Sequence, residues 1–96
     1  MRKRKPDKAA RASCEITIVN ELGLHARPAA EFVRRANVFR SDIWIITKSK
    51  ERFSALSLID VMRANLNQGA VATLEAVGLD AAEAVAQLAK LIPNLE

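Results

Sequence analysis

Apolar and polar residues alternate along residues 14–20, with Cys14, Ile16 and Ile18 on one side and Glu15, Thr17 and Val19 on the other. That is the period of a half-buried strand. Asn20-Glu21-Leu22-Gly23 breaks it, and from about residue 26 to 37 the spacing becomes helical. Ala29, Phe32, Val33 and Ala36 then share a face, while Glu31, Arg34 and Arg35 fall on the wet side. Pro28 suits the first turn of this helix, where a missing N–H costs little. The β-rich run Ile43-Trp44-Ile45-Ile46-Thr47 follows, and Lys48-Ser49-Lys50 links it to a shorter strand around Arg52 to Ala55 as a hairpin. Ser57, with Asp60 three residues on, is a capping-box pattern for a short helix carrying Leu58, Ile59, Val61 and Met62, and Asn65 is a left-handed stop for it. Gly69 marks a turn. Residues 70–77 alternate Ala72, Leu74 and Ala76 against Val71, Thr73 and Glu75, which predicts the last strand. After Gly78, Asp80 with Glu83 forms another N-terminal capping pattern. Ala81, Ala84, Val85, Leu88, Leu91 and Ile92 then make an apolar helix face ended by Pro93.

The predicted order is β-α-β-β-α-β-α, an α+β class in which one antiparallel sheet carries its helices on a single face. With Ile43 and Ile45 pointing inward, Trp44 and Ile46 point outward, which leaves an apolar pair exposed unless a tail or partner covers it. The chain has no internal repeat, no Gly-rich phosphate loop and no paired-Cys or multi-His metal pattern.

The 96 residues fit one small domain, half of them apolar and 27% charged, a balance suited to a globular protein with a single modest core. The net charge of +4 is unevenly spread. Residues 1–13 hold six basic side chains against one acidic, a balance of +5, so the remainder carries nine against ten, or −1. The basic character belongs to an extension, residues 1–13, and gives no reason for residues 14–96 to bind polyanions. Cys14 is the only cysteine, which rules out an intrachain disulfide and points to a reducing compartment. No apolar stretch of about 7–15 residues follows the charged start, so a signal peptide is not expected, and the chain reads as cytoplasmic.

The tetrad Gly23-Leu24-His25-Ala26, continuing into Arg27-Pro28-Ala29-Ala30, holds the only histidine, and it lies where the first strand hands over to the first helix. The N–H groups of a helix's first turn lack intrahelical partners and sit at the positive end of the helix dipole. A phosphate held there by the backbone of Ala26 and Arg27 would be stabilised, and His25 could carry it covalently.

Gly23-Leu24-His25-Ala26-Arg27-Pro28-Ala29 resembles the active-site signature of HPr, the histidine phosphocarrier family of the bacterial phosphotransferase system. The resemblance extends over residues 14–92, with Ser57-Leu58-Ile59 at the family's second phosphorylation region and a turn around Gly69. It implies an open-faced β-sandwich, a four-stranded antiparallel sheet covered on one face by three helices. It implies that His25, through Nδ1, accepts a phosphoryl group from phospho-enzyme I and passes it to a histidine of an enzyme IIA domain. No metal or cofactor is implied, and there is no turnover apart from the partners, so the chain acts as a partner-dependent phosphotransferase component. Arg27 would neutralise charge on the moving group. Leu24 and Pro28 shape the site. Partner docking would use apolar surface at Leu24, Leu58, Ile59 and Met62, with nearby arginines suited to acidic partners. A monomer is expected, without stable nucleic-acid or membrane binding.

Ser57 has two readings. A helix N-cap needs a serine for structural reasons alone, whereas the resemblance points to the serine that an HPr kinase/phosphorylase modifies in some members. The charge of Asp60, where regulated members carry a small or uncharged residue, favours the structural role. Asn65 stands where the family usually has glycine. The sugar-uptake and nitrogen-regulatory branches share the His-Ala-Arg-Pro core, so both remain open. Two rivals are a regulatory relative that docks without phosphotransfer, which would not need His25, and a small RNA-binding α/β domain. The latter is disfavoured because its expected strands offer few aromatics beyond Trp44 and Phe53.

Overall fold

The computed structural model describes residues 10–95, so most of the basic extension lies outside the described residues. Four strands and three helices alternate as β1 (Arg11–Thr17), α1 (Ala26–Ala36), β2 (Ser41–Thr47), β3 (Arg52–Ser54), α2 (Leu58–Arg63), β4 (Val71–Gly78) and α3 (Ala81–Leu91), with a final 3₁₀ turn over Ile92–Asn94. The strands form one antiparallel sheet in the order β1-β4-β2-β3. Leu74 lies at its centre, opposite Cys14 on one side and Ile45 on the other. Ile16, Ile43, Ile45, Ala72, Leu74 and Ala76 therefore share the covered face, and all are buried. The helices close that face with Phe32 and Ala36 from α1, Val61 from α2, and Ala84, Val85 and Leu88 from α3. The result is the open-faced α+β sandwich that the alternation predicts.

Three local differences have physical causes. β1 starts at Arg11 rather than at residue 14, because Arg11, Ala12 and Ser13 pair with Val77, Ala76 and Glu75. Asp80 begins α3 but does not cap it with its side chain. Its carboxylate instead accepts bonds from the Arg40 N–H (2.9 Å) and the Ser41 hydroxyl (2.6 Å), tying the α1–β2 connection to the start of α3. These bonds, the Ser41 hydroxyl first, hold the Asp80 carboxyl below its ordinary range. The capping box of α2 is half formed. The Ser57 hydroxyl accepts from the Asp60 N–H at 3.2 Å, whereas the Asp60 carboxylate turns back to the Ser54 N–H at 3.0 Å.

On the open face the expected apolar pair is partly covered by the chain itself. The Arg52 guanidinium lies 5.2 Å from the centre of the Trp44 ring, and it donates to Glu75 at 2.7 Å. Arg11 reaches the other oxygen of the same carboxylate at 2.8 Å. Glu75 is thus clamped between an edge strand on each side, and its carboxyl is held below the ordinary range, chiefly by Arg52. No helix among the described residues is long and apolar enough to cross a membrane.

Candidate functional site

The chain between β1 and α1 is pinned against the loop between α2 and β4. The Ile18 N–H donates to the Ala70 carbonyl at 2.8 Å, the Gly69 N–H to the Ile18 carbonyl at 2.7 Å, and the Leu24 N–H to the Leu66 carbonyl at 2.8 Å. Leu24 and Leu66 are both buried beneath this seam. Gly23, at φ +72°, lets the two segments approach, since a Cβ there would stand 2.6 Å from the Leu66 carbonyl oxygen and 3.0 Å from the Asn67 Cα. Asn20 secures the other end of the loop, its amide donating to the Ile92 and Leu95 carbonyls at 2.7 Å each.

This framework delivers His25 to the N-cap of α1 in an extended conformation. Ala26 follows at φ +49°, a left-handed conformation costing about 1–2 kcal/mol in an alanine. The backbone turns sharply there, at the residue joined to the histidine. The His25 side chain makes no cap bond, and no acidic residue occupies the first turn. The dipole's positive end thus has no carboxylate of its own within that turn. Ala26 and Arg27 begin the helix with N–H groups that have no intrahelical acceptor, and Pro28 has none to offer.

The His25 ring is held from one side only. Its Nε2 lies 2.8 Å from the Asn67 Oδ1. A carboxamide oxygen can only accept, so Nε2 bears a proton, and in the neutral ring Nδ1 then keeps its lone pair. Among the described residues Nδ1 has no hydrogen-bond partner. Such a ring can act as a nucleophile through Nδ1 without first losing a proton. Arg27 is exposed in the first turn and forms no ion pair with another described residue, whereas Arg34 and Arg35 are engaged by Glu31 at 2.7 and 3.7 Å.

The remaining expected residues divide. Leu58, Ile59 and Met62 are 39%, 70% and 43% exposed on α2, an apolar surface available to a partner. Leu24 is fully buried and offers a partner nothing; it anchors the loop, and the docking role expected for it is corrected. Leu22, 74% exposed in the same loop, adds apolar surface that the alternation did not single out. Ser57 is partly buried with its hydroxyl engaged as the cap of α2. Asn67 and Asn20 were not expected. Asn67 lies 42 residues from the histidine it contacts, so no local pattern marks it.

Comparison with known proteins agrees with this geometry. A family profile described as the PTS HPr component phosphorylation site matches residues 12–94. Phosphocarrier protein HPr of Haemophilus influenzae is 42% identical over 84 residues, covering 88% of this chain and 98% of that protein. Among solved structures, a phosphocarrier protein HPr from Bacillus anthracis superposes with a TM-score of 0.82 at 34% identity, covering 86% of this chain and 98% of that one. The solution structure of Crh, the Bacillus subtilis catabolite repression HPr, superposes with a TM-score of 0.69 at 35% identity, covering 86% and 95%. The motif around His25, the β1-β4-β2-β3 sheet under three helices and these likenesses together identify the chain as a member of the HPr phosphocarrier family.

Proposed function

We propose that the protein relays phosphoryl groups through His25, taking one from phospho-enzyme I of the phosphotransferase system and giving it to a histidine of an enzyme IIA domain. The single observation that carries this reading is the His25 ring at the N-terminus of α1, with Nε2 hydrogen-bonded to Asn67 and Nδ1 unpartnered among the described residues. In the first transfer the Nδ1 lone pair attacks phosphorus. The bond from phosphorus to the donor nitrogen breaks, and its electron pair returns to the donor. The second transfer reverses these roles, with His25 as the leaving group. Free N–H groups of Ala26 and Arg27 and the Arg27 guanidinium meet the charge on the phosphoryl oxygens, which is where most of the catalytic benefit of such a transfer arises.

Leu58, Ile59 and Met62 form the docking surface on α2, and Arg63 beside them favours acidic partners. The protein works as a cytoplasmic monomer. Ser57 serves as the α2 cap. A phosphate on its hydroxyl would bring a dianion beside the Asp60 carboxylate, and that repulsion disfavours kinase control. Incubation with an HPr kinase is expected to leave Ser57 unmodified.

The test of the relay is incubation with enzyme I and labelled phosphoenolpyruvate. Label stable in alkali and lost in acid is expected on the wild-type chain and absent from His25→Ala. A chain that stays unlabelled with an enzyme I active on other HPr proteins, or that labels equally after His25→Ala, overturns the reading.

A further inference from the structure

We propose that Asn67 is a positioning residue that holds the His25 ring in its Nε2–H tautomer, so that both transfers proceed without moving a proton on the ring. The proposal deepens the phosphocarrier reading and rests on it for its functional consequence. Its structural basis is independent of that reading.

Asn67 reaches the ring because its backbone is fixed on both sides. The Asn67 carbonyl accepts from the Ala70 N–H at 2.9 Å, and the Asn67 N–H donates to the Asn65 carbonyl at 3.1 Å. Asn65 is itself left-handed at φ +54°, which directs the chain from the end of α2 into this turn. Leu66, buried between these residues, is bonded to the Leu24 N–H at 2.8 Å, and Gly23 leaves room for the approach. The Asn67 carboxamide is therefore presented by a pinned turn to a histidine pinned by the same seam. A neutral imidazole has one donor and one acceptor nitrogen, and the hydrogen bond made by one fixes the role of the other.

The consequence concerns proton accounting. With the proton kept on Nε2, the Nδ1 lone pair forms the N–P bond directly, and the ring carries the same proton before and after attack. In the onward step the N–P bond breaks, and its electrons return to Nδ1 as the lone pair. The Nε2–H···Oδ1 bond persists through both. A ring with its proton on Nδ1 would have to tautomerise, through solvent, before accepting the group. Asn67 removes that step.

The test has two readouts. Long-range ¹H–¹⁵N correlation spectra of the neutral, unphosphorylated ring report the tautomer without reference to any partner. The wild type is expected to show the Nε2–H form, Asn67→Ala a spectrum shifted toward the mixture of a free imidazole, and Asn67→Asp, which keeps an acceptor oxygen, the wild-type pattern. Single-turnover acceptance from phospho-enzyme I is expected to slow roughly two- to tenfold in Asn67→Ala, the worth of one hydrogen bond. An Nδ1–H tautomer in the wild type, or an unchanged tautomer in a folded Asn67→Ala chain, overturns the proposal. Failure of the relay itself would appear as absent acceptance with the wild-type tautomer pattern intact, so the two outcomes are separable.

Discussion

An imidazole offers two nitrogens of similar chemistry, and which one reacts is decided by what holds the other. Here the holder is Asn67 at 2.8 Å, leaving Nδ1 beside the start of α1. In the proposed relay Arg27 is the other side chain set to meet the transferred group. It is exposed and unpaired among the described residues, so removing it should leave the fold unchanged while removing a donor for the phosphoryl oxygens. Arg27→Ala is expected to slow single-turnover acceptance by roughly 10²-fold, read by rapid quench, with an unchanged urea midpoint. Arg27→Lys should recover only part of the rate, since lysine restores the charge but not the planar fork. His25 and Arg27 were legible in the sequence because they sit in one contiguous motif. Asn67 was not, because its contact spans 42 residues and depends on two loops meeting. Leu24 misled for a related reason: an apolar residue beside a histidine reads equally well as docking surface or as anchor, and only burial distinguishes them.

At the scale of elements, periodicity located β1, α1, β4 and α3, since each buries one face and the period follows from that burial, whereas β2 and β3 were read from a β-rich run and its hairpin link, and α2 from the Ser57 and Asp60 capping pattern. It placed the start of β1 late, because Arg11 and Ser13 lie on the open face, where polar residues give no alternation signal after a basic run of sequence. It also assigned Asp80 to capping, which the carboxylate forgoes for Arg40 and Ser41 across the molecule. The element that matters most for function is the seam between the β1–α1 and α2–β4 connections. Gly23 sits where the seam is tightest. Gly23→Ala would force a Cβ to within 2.6 Å of the Leu66 carbonyl oxygen at a φ of +72°, so the segments must separate. A destabilisation of about 1–3 kcal/mol is expected in urea unfolding. It should come with loss of the Nε2–H tautomer preference of His25, because Asn67 retreats with its loop. A stable chain with an unaltered ring spectrum would show that the seam does not position the histidine.

Over the whole molecule, three carboxylates held by hydrogen bonds shape the expected acid response of stability. Glu75 is held low chiefly by Arg52, Glu31 by Arg34, and Asp80 by the Ser41 hydroxyl. A carboxyl whose folded value lies below its unfolded one favours the folded state above the unfolded value, and that contribution is lost as pH falls through the folded value. Thermal unfolding is therefore expected to be insensitive to these groups at neutral pH. The midpoint should fall progressively from about pH 4.5 downward, and Glu75→Gln should flatten part of the decline. The open face, with Glu75 clamped between Arg11 and Arg52, then serves as structural support. The central claim is that this arrangement makes Nδ1 of His25 the phosphoryl acceptor. The most direct measurement is a ³¹P and ¹⁵N spectrum of histidine-labelled protein phosphorylated by enzyme I and phosphoenolpyruvate. One phosphoramidate signal coupled to Nδ1 of His25 is the expected result, and phosphate on Nε2, or on any other side chain, would contradict it.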